Sequence, residues 1–389
     1  MLQAKSKEGR LVTLATLTKL EINKLKQVKF YCPACNQRVI MKAGSIVIPH
    51  FAHQSIQKCP AHEGGEGLYH EKGKLLLYQW LKKQNIHVEL EVYLPEINQR
   101  PDLLLRLNTK IIAIEYQCAR VAIEQIRERN NGYRKAGIIP IWILGATLLK
   151  RKMSYQLQLD QFSLQFTHQF SPTYPLTLFY FCPITNQFAS VRNIYLTSLD
   201  KAIGKFYIQR LNSMSFIDIF QKELLKSSHL YQLWRKEKER FRMRQPKRLY
   251  GKELAWAKWL YEKGTHREHL PSIIYLPTVS QYLMNSAPWD WQSRLCIDIL
   301  CNKPLGTQIS LKSCERIVRQ QMQDSNSFPL IYTGKNPIIE YLMLLSELNI
   351  LTKRTPHSFL IINPIDFYKN VEEALTGDKI IMDQLVKQN

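Results

Sequence analysis

Apolar positions between residues 68 and 144 switch between two periods. HVELEVYL, PDLLLRL and IIAIEYQ are short runs rich in Leu, Ile and Val, and the turn-forming Asn108-Thr109-Lys110 separates the last two. They predict a strand over residues 87–94 and a hairpin of strands over 101–107 and 111–117. Before them, Leu68, Leu75, Leu76, Trp80 and Leu81 recur at helical spacing and predict a helix over 67–84. After them, a second helix is expected over 119–136. It is followed by IIPIWIL, whose near-continuous apolar run suits a strand covered on both faces. The order is αβββαβ, an α/β unit built on a mixed sheet.

The flanking regions read differently. EGGEG at 63–67 is a flexible join, so residues 1–65 form one module, 66–150 a second domain and 151–389 a third, mainly helical region. Residues 151–190 alternate aromatic and polar positions and predict two to four strands or a connecting region; from Leu199 the pattern turns helical. Toward the end, helices over 311–322 and 337–348 precede a hairpin-like ILTKRTPHSFLII, an outline shared by winged-helix units and by generic α+β packing. The longest apolar run, 138–149, contains Pro140 and Gly145 and is too short to span a bilayer, so no stable membrane insertion is expected.

The hairpin brings chemistry with it. With Asn108 and Thr109 as a two-residue loop, Leu107 pairs with Lys110 and Asp102 falls opposite Glu115. Period-2 alternation puts Gln117 on the same face, while Leu103, Leu105, Ile112 and Ile114 fill the other. Opposed like charges destabilise a hairpin unless a cation sits between them, and two carboxylates suit a hard ion such as Mg2+ or Mn2+. The plainer alternative makes Asp102 a solvated strand end and pairs Glu115 with a nearby Arg or Lys.

A second signal lies in the first module: Cys32-Pro-Ala-Cys35, His50-Phe-Ala-His53, then Cys59 and His62. A CxxC knuckle after a strand over 28–31 points two thiolates at one ion, and imidazoles complete a tetrahedral Zn2+ site. Cys32, Cys35 and His53 are the core choice, His50 the next donor, and Cys59 or His62 the reserves. Cys296, Cys301 and Cys314 lack such spacing and read as buried thiols.

Charge then narrows the partner. The chain has 54 Lys and Arg against 32 Asp and Glu, a net +22, which favours a polyanion and makes nucleic acid the leading candidate. RKEKERFRMRQPKR, residues 235–248, holds eight basic and two acidic residues and is a candidate phosphate-tracking arm. Arg120, Arg127, Arg129 and Arg134, with Tyr133, lie on the helix beside the carboxylates, where they can draw in a phosphate backbone or pair with Glu124 and Glu128. Trp256, Trp259, Trp289 and Trp291 read as core. Eight cysteines and the charged opening MLQAKSKEGR argue against a disulfide framework and for the reducing cytoplasm.

The αβββαβ order, with Pro101-Asp102 followed by Glu115-Tyr116-Gln117, resembles the PD-(D/E)xK nuclease superfamily, with Gln where Lys is usual. More narrowly, CPAC, HFAH, YHEKGK, RPD, IEYQ and ERNNGY…IWILG resemble the competence protein CoiA family. The resemblance implies a restriction-endonuclease-like core, a zinc-ribbon-like module ahead of it, and a Mg2+-dependent nuclease acting on incoming, single-stranded DNA in natural transformation, in company with recombination proteins. It implies a third carboxylate from Glu66 or Glu71, His70 on phosphate or a bound water, and Arg129, Tyr133 and Lys74 toward the substrate. A clamp that keeps the nuclease fold without cleaving is the alternative, because Gln117 is neither a cation nor a strong proton acceptor.

Overall fold

A computed structural model describes residues 1–44, 48–54, 59, 67–245, 248–301, 303–332 and 334–388. The first module is a five-stranded sheet. Its strands β1 (Gln3–Ser6), β2 (Leu11–Thr13), β3 (Phe30–Tyr31), β4 (Arg38–Lys42) and β5 (His50–His53) lie in the order β2-β1-β3-β4-β5, with helix α1 (Lys19–Lys24) between β2 and β3. Phe30, Val39 and Phe51 make a small core with Cys32 and Cys59.

Next come α2 (Leu68–Lys82), β6 (His87–Leu90), β7 (Leu103–Leu107), β8 (Lys110–Gln117), α3 (Ile123–Lys135) and β9 (Ile138–Gly145), in the expected helix, strand, strand, strand, helix, strand order. The sheet does not stop there. β10 (Lys150–Arg151), β11 (Gln156–Gln158), the short α4 (Gln161–Leu164), β12 (Leu178–Cys182), β13 (Gln187–Leu196) and β14 (Lys201–Arg210) extend it to nine strands in the order β10-β11-β14-β13-β12-β9-β8-β7-β6. The sheet thus runs continuously across residue 150, where the sequence suggested a boundary. β14 also corrects the helical reading from Leu199, since eight of its ten residues pair with β13 instead.

Strands β8, β9 and β12 run parallel, the remaining pairs antiparallel. The alternation along β9 shows why both faces must be covered. Ile141 and Ile143 pack with Leu77, Trp80 and Leu81 of α2, whereas Trp142 and Leu144 pack with Ile126 of α3. α3 turns Ile126, Asn130 and Tyr133 inward at i, i+4, i+7 spacing. Gly73 lets α2 lie close on β8, because a Cβ there would fall 2.0 Å from the Tyr116 ring.

The remainder is mainly helical: α5 (Ser227–Met243), α6 (Gly251–Glu262), α7 (Pro288–Leu295) running into a π turn (Cys296–Leu300), β15 (Gln308–Ser310), α8 (Leu311–Val318), α9 (Pro337–Glu347), β16 (Leu351–Thr355), β17 (Ser358–Ile361) and α10 (Val371–Gln388). The last three strands pair in the order β15-β17-β16. Trp256 and Trp291 are buried in this unit's core, with Trp259 and Trp289 packed against it, and Cys296 and Cys314 are buried thiols. α5 and α10 are joined by Asp378, which holds Arg242 at 3.0 Å and Lys238 at 3.2 Å beneath the surface.

Candidate functional site

The β7–β8 hairpin has the register its sequence suggested. Asn108 takes φ +52° in the turn, Leu107 pairs with Lys110 and Leu103 with Ile114, which carries Asp102 opposite Glu115 one step further on. Both carboxylates are buried, at 7% and 4% exposure. Asp102 Oδ2 accepts from the Tyr116 backbone N–H at 2.8 Å and lies 3.3 Å from His70 Nε2; Oδ1 is 3.4 Å from Lys74 Nζ. Glu115 accepts from the Tyr133 hydroxyl and from Arg129, whose guanidinium also reaches the Arg100 carbonyl at 3.3 Å. Burial, and then the neighbouring Asp102, push the Glu115 carboxyl well above its ordinary value, so the pair resists holding two negative charges.

The site opens into a cavity of about 1100 Å3, onto which His70, Asp102, Glu115, Gln117 and Arg129 all face. Gln117 directs its amide N–H to the Ala119 carbonyl at 2.7 Å. The donor set fits a hard divalent cation. Two opposed carboxylates crowd each other in a buried place and line one cavity, a situation that a bound divalent cation relieves.

Of the three residues expected toward the substrate, two are buried and one lines the cavity. Lys74 is wholly buried between Asp102 and Glu91, so it cannot meet a phosphate and acts on the carboxylates instead. Tyr133 is also wholly buried, because the inward face of α3 places its hydroxyl under Glu115. Arg129 lines the cavity but is paired with Glu115. Glu66 and His62 lie outside the described residues, and Glu71 is buried. Glu91, which the sequence reading passed over, holds Lys74 at 2.5 Å from just beyond β6; Glu89 and Glu91 share a strand face, and alternation alone does not choose between them.

In the first module, Cys32, Cys35, His53 and Cys59 bring one donor atom each to within 4.8 Å of all the others. The Cys32 and Cys59 sulfurs are 3.8 Å apart, and Cys35 Sγ is 3.3 Å from His53 Nε2. Tetrahedral Zn2+ with Zn–S near 2.3 Å requires an S···S edge of about 3.8 Å, so the cluster is already metal-sized. Asn36, at φ +60°, closes the knuckle by donating its N–H to the Cys32 carbonyl. His50 is not a member. It is three residues from His53, hence on the opposite side of β5 and opposite Lys42 at the far end of the ladder, and its Nδ1 lies 2.9 Å from the Ile48 carbonyl. Cys59, held in reserve, takes its place.

The basic arm is largely spent internally. Arg240 pairs with Glu237, Arg244 with Glu253 at 2.9 Å, Arg235 with Asp383 at 3.8 Å, and Arg242 is buried on Asp378. Exposed cations without an ion-pair partner among the described residues stand elsewhere: Lys312, Arg316 and Arg319 at i, i+4, i+7 along α8 and its extension, and Lys353 and Arg354 toward the end of β16. The two groups adjoin, since Leu311 at the start of α8 donates its N–H to the His357 carbonyl at 2.8 Å.

The domain thus carries buried, opposed carboxylates in a mixed sheet with helices on both faces, and a separate, metal-sized Cys/His cluster lies ahead of it. Family comparison gives the same division. Residues 66–224 match the nuclease-like domain of competence protein CoiA, residues 14–62 its N-terminal domain and residues 230–375 its C-terminal domain. Competence protein CoiA of Bacillus subtilis (strain 168) is 35% identical over 274 residues, 70% of this chain and 72% of that protein. The chain belongs to the competence protein CoiA family. No solved structure matches it.

Proposed function

We propose that the chain is a metal-dependent deoxyribonuclease that processes incoming DNA, single strands included, during natural transformation, in the cytoplasm and alongside recombination proteins. The observation that carries this reading is the pair Asp102 and Glu115, buried, opposed and open to a cavity of about 1100 Å3. A role in competence is supported by the relative's name and by the family match across three domains. Among the described residues no helix is long and apolar enough to cross a membrane.

Asp102 and Glu115 would hold Mg2+ or Mn2+, with Glu66 a further candidate, and the ion when bound supplies a Lewis acid and an activated water for phosphodiester hydrolysis. Residues of the chain do the rest. Tyr133 and Arg129 fix one Glu115 oxygen, the Tyr116 N–H and His70 fix Asp102, and Gln117 at the cavity wall orients water by hydrogen bonding. Lys74 is a buried cation at 3.4 Å from Asp102, which supports a charge-balancing role beside the carboxylates, a place Gln117 cannot fill. Zn2+ is the ion proposed for the Cys3His cluster, as a folding element of a zinc-ribbon-like module.

The second reading, a DNA clamp with the nuclease fold retained, is favoured by one observation: the Gln117 amide is already engaged with Ala119. Incubating pure protein with labelled single- and double-stranded DNA in Mg2+, Mn2+ or chelator separates the two. Metal-dependent cleavage supports the enzyme, and binding without cleavage supports the clamp.

A further inference from the structure

Glu91 joins the nuclease-like domain to the start of the N-terminal sheet. Its Oε2 accepts from the Leu2 backbone N–H at 2.7 Å and, more weakly, from Gln3 N–H at 3.4 Å, in and beside the first strand of the Cys/His module. Its Oε1 holds Lys74 Nζ at 2.5 Å, and Lys74 in turn lies 3.4 Å from Asp102 Oδ1. Glu91, Lys74 and Leu2 are all essentially excluded from water, and the Leu2 side chain inserts into the core beneath α2 rather than into its own module. Glu91 adopts φ +50°, a left-handed backbone costly for a long side chain, and its N–H donates to the Asp102 carbonyl at 3.0 Å. Strain of that kind persists only where the surroundings fix it, and here they fix one carboxylate between a module backbone and a buried ammonium.

We infer that Glu91 is a positioning residue through which docking of the Cys/His module sets the cation affinity of Asp102. This rests on the reading of Asp102 and Glu115 as a divalent-cation site. A fully buried ammonium must be shared among carboxylates. While Leu2 anchors Glu91, Lys74 leans to Glu91 and leaves Asp102 its charge. When Glu91 is lost, or the module no longer presents Leu2, Lys74 turns to Asp102 and competes with the metal there.

The test is Mn2+ binding by full-length protein, followed through the electron paramagnetic signal of free Mn2+, with Asp102→Asn marking the signal that belongs to the site. Glu91→Gln is expected to weaken that binding at least tenfold, and Cys32→Ser with Cys35→Ser to weaken it similarly. Combining all three changes should add little further loss, because both act through one link. Binding by Glu91→Gln within twofold of wild type overturns the inference, as do losses that simply multiply. Should Glu91→Gln fail to fold, the Cys32→Ser with Cys35→Ser variant carries the test alone, and binding there within twofold of wild type is equally contrary. A wild type that binds no Mn2+ sensitive to Asp102→Asn overturns the cation-site reading itself, a different result from wild-type binding that ignores Glu91.

Discussion

Lys74 Nζ lies 3.4 Å from Asp102 Oδ1 with no exposure to water, so the site's nearest ammonium is part of its foundation and not of its surface. Lys74→Met keeps the volume but strands Glu91 and Asp102 without their shared cation. Breaking a buried pair by removing one partner costs about 3–5 kcal/mol. Urea denaturation should show a loss of that order, while exchange of an exposed cation such as Lys312→Met should stay within about 0.5 kcal/mol.

Glu115 gives a pH signature. Its folded pKa is raised by burial and by Asp102, so between its ordinary value of 4.5 and the raised one the native state binds more protons than the unfolded chain. Stability without metal should therefore fall as pH rises through that window, with a slope of at most about 1.4 kcal/mol per pH unit for one group. A divalent ion replaces the proton, so stabilisation by Mg2+ should grow with pH. Tyr133→Phe removes a hydrogen bond that favours the ionised carboxylate and should move the window upward. Melting temperatures across pH, with and without Mg2+, check both directions.

The Cys3His cluster predicts one tightly held Zn2+ per chain. Cys59→Ser should lower the zinc content of purified protein and loosen the first module, whereas His50→Ala, on the other side of β5, should leave zinc unchanged. Metal analysis of the two variants distinguishes Cys59 from His50 as the fourth donor.

DNA contact should depend on cations that are not already paired. The K312A/R316A/R319A variant should reduce the slope of log affinity against log salt by about 2 to 3, following roughly 0.7–0.9 per phosphate contact. Arg242→Ala should instead destabilise the α5–α10 packing, because its guanidinium is buried on Asp378. Filter binding across salt concentrations, beside denaturation curves, separates these outcomes.

The hairpin register was legible because a polar two-residue turn fixes the pairing, and the two-residue period of a strand then brings Leu103, Leu105, Ile112 and Ile114 to one face. What the pattern could not tell was which polar side chains go inside. Lys74 and Tyr133 occupy helix positions that read equally well as solvated or buried, and only the carboxylates on the facing strands decide it. The strand expected to reach residue 94 ends at Leu90, where Glu91 turns left-handed to meet Lys74. β14 was misread because Ile203, Phe206, Tyr207 and Leu211 mimic helical spacing, and pairing with β13 overrides that local signal. In the first module the knuckle was plain, and three-residue spacing along a strand already sets His50 apart from His53, but that Cys59 supplies the fourth donor depends on its lying beside Cys32, which spacing does not carry.

The central claim is that Asp102 and Glu115 form a working metal site for DNA cleavage, and the most direct measurement is Mg2+-dependent cutting of end-labelled DNA by pure wild type, Asp102→Asn and Glu115→Gln. The account predicts cleavage that chelator abolishes and that each variant loses at least a hundredfold, about 2.7 kcal/mol in the barrier, with DNA affinity equal or slightly tighter. Cleavage undiminished in both variants would contradict it, and so would a wild type that binds DNA yet fails to cut it with any divalent metal.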